Sequence, residues 1–344
     1  MEAAVLGATG MVGQRFLQLL AENPWFEIRV ITASEKSVRK KYSEATRWML
    51  GGDMPESVSD LEVQPTDPNR VGDVDVVFSA LPAEVAGKVE EDFAKSGYIV
   101  VSNASSHRMD LDVPLLNPEV NAEHVHLIDE QHRKRKWDGA IVTNPNCTTT
   151  ILTLSLKPVH DKFGLSRVLV SSMQALSGAG YPGVPSLDIV DNVIPFIQKE
   201  EEKVQSETLK ILGSIEDPAT IKVSASCHRV CTLDGHMEAV FVETKKETDS
   251  LEVKEAMDEF RGEPQRLGLP TAPERPIIVR NEEDRPQPHL DRMAGRGMAV
   301  VVGRIRRDSA LDGIKYIVLG HNTIRGAAGC AVLNAELLKA KGYI

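Results

Sequence analysis

The chain has 344 residues, 40 Lys+Arg against 50 Asp+Glu for a formal net charge of −10, and 42% hydrophobic residues. That length suggests two domains with ample buried core, and the acidic balance argues against nucleic acid or an anionic membrane as the main partner. No run of roughly 18 apolar residues could cross a bilayer, and four cysteines are too few for a disulfide scaffold and suit a reducing cytoplasm.

The opening MEAAVLGATG puts Glu2 where a secretory leader needs positive charge, so no cleavable signal is expected. Ala3 to Leu6 reads as a short apolar strand, Gly7 to Gly13 as a turn, and Val12 to Leu20 as a helix. Further strands are expected at Ile28–Ile31, Val74–Ser79, Ile99–Val101 and Ile141–Thr143, with a helix from Ala83 to Lys95. Strands alternating with helices imply a parallel, doubly wound sheet. After Asn146 the pattern changes. Helices are expected from about Thr148 to Phe163 and from about Asp188 to Leu212. Strands are expected near Val168–Met173, Ala239–Glu243, Met298–Arg304 and Tyr316–Leu319. The fold class is therefore α/β, with a Rossmann-type domain over 1–147 and an α+β domain over 148–323. A small-residue helix from Ile324 to about Ala340 is expected to pack back on the first domain.

Gly7, Gly10 and Gly13 give G-x-x-G-x-x-G at the first strand–helix turn, bracketing Thr9, Met11 and Val12. Glycine lets backbone approach a pyrophosphate, and the helix that follows offers free N–H groups and its positive dipole end. An ordinary packing turn could also use these glycines, but the motif's place in a βαβ pattern favours a nucleotide. The second strand runs into Ser34, Lys36, Ser37 and Arg39, where hydroxyls and cations suit the 2′-phosphate of NADP; Glu35 is the counter-signal.

Cys147 lies in Asn144-Pro145-Asn146-Cys147-Thr148, where a turn gives way to a helix. That position is expected to lower a thiol's pKa and to offer N–H groups to an oxyanion. A buried structural cysteine is the bland alternative, and the polar turn weighs against it. Cys227, His228, Cys231 and His236 resemble a metal cluster only superficially. In a strand, Cys227 and Cys231 lie about 13 Å apart, too far to share a zinc. No metal is expected. Arg229 suits a carboxylate and His236 suits acid/base work, although for either residue alone a surface ion pair or a satisfied histidine is the better reading.

Taken together, Gly7-Ala8-Thr9-Gly10-x-x-Gly13, Ser102-Asn103-Ala104-Ser105, Asn146-Cys147, Gln174-x-x-Ser177-Gly178-x-Gly180, Glu207-Thr208-x-Lys210, Arg229 with His236, and Asn322-Thr323 carry a resemblance over almost the whole length. The chain resembles aspartate-semialdehyde dehydrogenases of the archaeal and fungal type. The resemblance implies a catalytic and dimerisation domain like that of glyceraldehyde-3-phosphate dehydrogenase. It also implies reductive dephosphorylation of L-aspartyl 4-phosphate to L-aspartate 4-semialdehyde with NADPH, on the route to lysine, methionine and threonine. Cys147 is then the nucleophile, His236 the acid/base and Gln174 the residue orienting the acyl-enzyme. Arg229 holds the substrate carboxylate and Glu207 its ammonium, Arg108 and Lys210 bind phosphate, and Asn146 lines the substrate site. Ser177, Gly178 and Asn322 face the cofactor, Asn322 near the nicotinamide carboxamide. A homodimer or homotetramer in the cytoplasm is expected.

The nearest rival is a malonyl-CoA or succinyl-CoA reductase on the same scaffold, whose substrate offers no ammonium to Glu207 and no leaving phosphate to Lys210. N-acetylglutamyl-phosphate reductase, with a blocked amine, likewise leaves Glu207 unused. A non-catalytic NADP-binding regulatory protein would need none of Cys147, His236 and Arg229.

Overall fold

The computed structural model describes residues 1–344 and contains two six-stranded sheets. The first is built from β1 (Glu2–Leu6), β2 (Glu27–Ala33), β3 (Val63–Pro65), β4 (Val76–Ser79), β5 (Ile99–Ser102) and β6 (Ala140–Thr143). Its order is β3-β2-β1-β4-β5-β6, and every pairing is parallel. β1, β4, β5 and β6 are apolar along nearly their whole length because helices cover both faces of the sheet. The order reverses between β1 and β4. A doubly wound sheet opens a crevice at that point, beyond the carboxyl ends of its strands.

The second sheet holds β7 (Leu165–Gln174), β8 (Lys222–Arg229), β9 (His236–Thr244), β10 (Ile277–Val279), β11 (Val300–Asp308) and β12 (Gly313–Gly320). It is mixed, in the order β10-β11-β12-β9-β7-β8. β7 from Val168 to Gln174 and β9 from His236 to Glu243 alternate between buried and half-buried residues. One face therefore packs on the Cys147–Phe163 helix, while Leu169, Ser171, Met237, Ala239 and Phe241 lie on the other, open face.

The helix Gly329–Lys341 returns to the first sheet, where Ala331, Val332, Leu333, Ala335, Leu337 and Leu338 join the core that contains β1. Ahead of it the chain makes a π-type turn over Ile324–Ala328, so the expected single helix from Ile324 is two pieces with a kink at Ala327. The helix expected over 188–212 is also two pieces, Ser186–Ile189 and Glu200–Ile211. Asp191 and Lys199 adopt positive φ between them, and Pro195 lacks the N–H that a continuous helix needs there. No helix is long and apolar enough to cross a membrane.

Candidate active site

The glycine turn follows β1 at the crevice. Gly7 has φ +73, and a Cβ on Gly13 would sit 2.2 Å from the Gly7 carbonyl oxygen, so the turn closes only around glycine. The helix Met11–Ala21 starts from Gly10 with no side-chain cap, which leaves its first N–H groups for a ligand. A pyrophosphate fits this cradle, with Thr9, Met11 and Val12 on its rim. At the end of β2, Ser34 and Lys36 are exposed and Ser37 is buried, its N–H donating to the Ser34 carbonyl at 2.8 Å. Arg39 is exposed at φ +66. Ser34, Lys36 and Arg39 thus stand free at the strand end where a ribose phosphate would lie.

β6 leads through Asn144-Pro145-Asn146 into the Cys147–Phe163 helix. Asn144 is pinned from three sides: it donates to Asn103 Oδ1 at 2.6 Å and the Ala327 carbonyl at 2.9 Å, and accepts from Asn334 at 2.8 Å. Asn146 Oδ1 caps the helix, accepting from the N–H groups of Thr148 at 3.0 Å and Thr149 at 3.2 Å. The buried hydroxyls of Thr150, Thr153 and Ser155 donate back to the carbonyls of Asn146, Thr149 and Leu152. That is how a threonine-rich stretch of modest helix propensity is buried as a helix with most of its hydroxyls paired, Thr148 Oγ1 being the buried exception.

Cys147 is the first residue of that helix, and its Sγ lies 3.2 Å from His236 Nε2. The position at a helix start matches the expectation; a lowered pKa does not. Tight packing, then the charge of Glu200, push the Cys147 thiol up to about 12, against the pull of Arg108 and Arg229. The helix end does not offset the lost hydration. His236 is fully buried, and burial together with Arg229 and His321 drives its pKa well below the usual imidazole value.

Around this pair β7 and β8 run parallel, ending at Gln174 and Arg229. Arg229 donates to the Ala175 carbonyl at 2.7 Å, and the Ala175 N–H donates to His236 Nδ1 at 3.1 Å. Gln174 is buried and donates to Ser172 Oγ at 3.2 Å. A Cβ on Gly178 would lie 2.8 Å from the Arg229 guanidinium and 3.0 Å from the His236 ring, which places Gly178 directly over both. Asn322 donates to Ser177 Oγ at 2.8 Å and accepts from the Gly235 N–H at 2.9 Å, bridging the loop before His236 to the segment after β7.

The carboxylates take up less open positions. Glu207 accepts from Arg108 at 3.0 Å and from the Asn146 N–H at 2.6 Å, so the two groups expected to bind ammonium and phosphate are paired with each other. Arg108 also donates to the Asn103 carbonyl at 2.8 Å. Asn146 Nδ2 donates to Glu200 Oε1 at 2.8 Å. Lys210, expected as a phosphate ligand, already has protein partners. Its ammonium donates to the carbonyls of Arg108 and Asp110 at 2.7 Å and Val113 at 2.9 Å, anchoring the loop that carries Arg108. Burial lowers its pKa to about 8. Cys227 is buried in β8 while Cys231 is exposed in the loop beyond, so the two do not form a cluster.

Several contributors carry no sequence signal of their own. The Ala175 amide acts through backbone, Gly326 abuts Cys147 from a distant segment, and Glu238 is a fully buried carboxyl with neither oxygen partnered. Glu200 could have been picked out only as part of the acidic run opening its helix.

Family models agree with this arrangement. Residues 2–128 match the semialdehyde dehydrogenase NAD binding domain, and residues 156–325 match the semialdehyde dehydrogenase dimerisation domain. An aspartate-semialdehyde dehydrogenase from Methanothermobacter thermautotrophicus is 58% identical over 97% of this chain and 97% of its own. The chain belongs to the aspartate-semialdehyde dehydrogenase family. The structure of the aspartate semialdehyde dehydrogenase of Candida albicans with NADP superposes with a TM-score of 0.91 at 42% identity, covering 100% of this chain and 99% of that one. A malonyl CoA reductase (NADP) from Metallosphaera sedula is 47% identical over 100% of this chain and 98% of its own, so the family's scaffold also occurs with an acyl-CoA reductase name.

Proposed function

We propose that the protein catalyses NADPH-dependent reductive dephosphorylation of L-aspartyl 4-phosphate to L-aspartate 4-semialdehyde, the step that feeds lysine, methionine and threonine synthesis, in the cytoplasm. The observation that carries the reading is Cys147 Sγ at 3.2 Å from His236 Nε2, on the helix that leaves the nucleotide-binding sheet. Arg229 stands beside that pair, and Glu207 reaches the turn that precedes it. Cys147 attacks the acyl phosphate, its own N–H lies where an oxyanion develops, and phosphate leaves a thioester on sulfur. When bound, NADPH supplies the hydride that reduces this thioester. Gly7, Thr9, Gly10, Met11, Val12 and Gly13 would hold its pyrophosphate, Ser34, Lys36, Ser37 and Arg39 its 2′-phosphate, and Ser177, Gly178 and Asn322 its nicotinamide end.

Arg229 takes the substrate carboxylate while keeping one amino group on the Ala175 carbonyl. Gln174 orients the acyl group. Glu207 meets the ammonium and Arg108 the phosphate, an arrangement in which the substrate's two charges separate a pair already present. Lys210 serves phosphate at one remove, by fixing the Arg108 loop. The paired Glu207 and Arg108 favour an amino-acyl phosphate over malonyl-CoA, which offers no ammonium to the carboxylate. The open face of the second sheet, with Leu169 and Phe241, is where we place the contact of a homodimer.

The test is reduction of NADP by the purified protein with L-aspartate semialdehyde, which should depend on added phosphate. Turnover with malonyl-CoA and NADPH but none with the semialdehyde would assign the chain to the acyl-CoA branch. A single boundary at high dilution in sedimentation, with the mass of one chain, would contradict the dimer.

A further inference from the structure

A cavity of about 340 Å³ opens between residues 118–126, the far half of the Cys147–Phe163 helix, the loop over 260–266 and Lys341. Lys157, on its wall, lies about 15 Å along the helix axis from Cys147. The volume is at the lower end of small-molecule pockets. Only three of the fourteen lining residues are hydrophobic, so a ligand that fits is small and polar. Most of the cavity's charges already face a partner. Lys157 pairs with Asp161 at 3.0 Å, and Glu263 takes both Lys341 at 2.7 Å and Arg266 at 3.0 Å. Two are left over, one of each sign. The half-buried Arg261 guanidinium reaches only the carbonyls of Asp258 at 3.0 Å and Phe260 at 2.7 Å. The exposed Glu123 carboxylate has neither a cation nor a hydrogen-bond donor. A guanidinium fork matches a carboxylate and a carboxylate matches an ammonium. One free α-amino acid carries both.

The cavity also touches the frame that holds the nucleophile. Glu119 lines it, and its carboxylate accepts from both amino groups of Arg325 at 2.7 Å. Arg325 donates in turn to Asn117, which donates to the Thr150 carbonyl at 3.0 Å in the helix that Cys147 opens. The residue after Arg325 is Gly326, which abuts Cys147. A Cβ on Gly262 would lie 2.6 Å from the Glu119 Cα, so the loop that carries Arg261 rests directly on Glu119.

We propose that this cavity is a second binding site, taking a free α-amino acid with its carboxylate on Arg261 and its ammonium on Glu123, and that occupancy lowers turnover through Glu119 and Arg325. The ligand's carboxylate brings a further negative charge to the side of Glu119, where the buried setting screens it little. That charge slackens the pair that holds Arg325, and with it Gly326 against Cys147. The effect falls on kcat, because the nucleophile moves and the groups that grip substrate do not.

The choice of probes rests on the function proposed above; the binding itself does not. Equilibrium dialysis of the full chain against L-lysine, L-methionine and L-threonine should show one site per chain for at least one of them. Arg261→Met and Glu123→Gln lie outside the catalytic machinery. Each should keep the parent's basal turnover and weaken that binding by about tenfold or more. A saturating amino acid should lower the parent's kcat by about fivefold or more, an ordinary size for coupling between sites. The same concentration should leave the kcat of both variants unchanged. No saturable binding at millimolar concentration, or acetate bound as tightly as the amino acid, would overturn the site. Binding undiminished in both variants, or a raised KM with an unchanged kcat, would place the amino acid in the active site and overturn the proposal as well. A protein that does not turn over L-aspartate semialdehyde at all would overturn the proposed function and leave the dialysis result standing.

Discussion

Replacing Gly326 by alanine tests how closely the nucleophile is held. Gly326 lies in the π-type turn before the last helix, and a Cβ there would sit 2.7 Å from the Cys147 Cβ and 3.0 Å from its Cα. Carbon atoms in contact stand about 3.5–4.0 Å apart, so the two segments must part by about 1 Å. Neither segment gives way readily. Asn146 is fixed by Glu200 and Glu207, and Arg325 is locked onto Glu119 at 2.7 Å in the fully buried core. The displacement therefore falls on Cys147 itself and opens its contact with His236. A misplacement of about 1 Å costs about 10²-fold in rate, equivalent to about 2.7 kcal/mol on the barrier. The assay is kcat for phosphate-dependent NADP reduction, with a thermal melt to show that the variant is folded. A folded Gly326→Ala protein within threefold of the parent kcat would refute the reasoning.

Three other perturbations bear on stability and on the loop that carries Arg108. Glu119→Ala leaves the Arg325 guanidinium buried without its carboxylate and should cost about 3–5 kcal/mol, seen as a lower urea midpoint; an unchanged midpoint would contradict the burial of that pair. Lys210→Met removes the donor to three loop carbonyls, so hydrogen exchange over residues 108–113 should speed up in the ligand-free protein. A raised KM for phosphate with unchanged exchange would instead make Lys210 a direct ligand. Glu238 has its pKa raised well above the usual carboxyl value, by burial first and Glu200 second. Its raised folded pKa contributes stability below the unfolded pKa of 4.5, and that contribution is lost as pH rises above it. Glu238→Gln should therefore gain on the parent in urea unfolding by about 1.4 kcal/mol for each unit of pH above that value. A gap that does not change between pH 5 and 7 would show the carboxyl ionised in place.

The parts of the molecule set by local pattern were legible in the sequence. The glycine spacing, the apolar strands of the first sheet and the helix at Cys147 all follow from residues within a few positions of one another. β3 and β10 are three residues each and carry too little pattern to declare themselves. The break between Ser186–Ile189 and Glu200–Ile211 had a signal in Pro195, which the expected continuous helix overlooked. The site divides in the same way. The turn and helix start around Cys147 announce its chemistry and the family resemblance adds Arg229 and His236, but a pKa is set by what surrounds a group in space. Cys147 sits at a helix start as expected and is nevertheless pushed up, because packing outweighs the helix end. The family resemblance makes Lys210 a phosphate ligand; only the folded loop shows its ammonium occupied by carbonyls. The Ala175 N–H, being backbone, has no residue type to read at all.

The central claim is a thioester on Cys147. Incubating the protein with L-aspartate semialdehyde and NADP in the absence of phosphate, then quenching in acid and mapping the peptides by mass, tests it most directly. The account predicts an aspartyl adduct on the peptide containing Cys147, discharged when phosphate is added before the quench. An adduct confined to exposed Cys231, or none on any of the four cysteines while NADPH still forms, would contradict it.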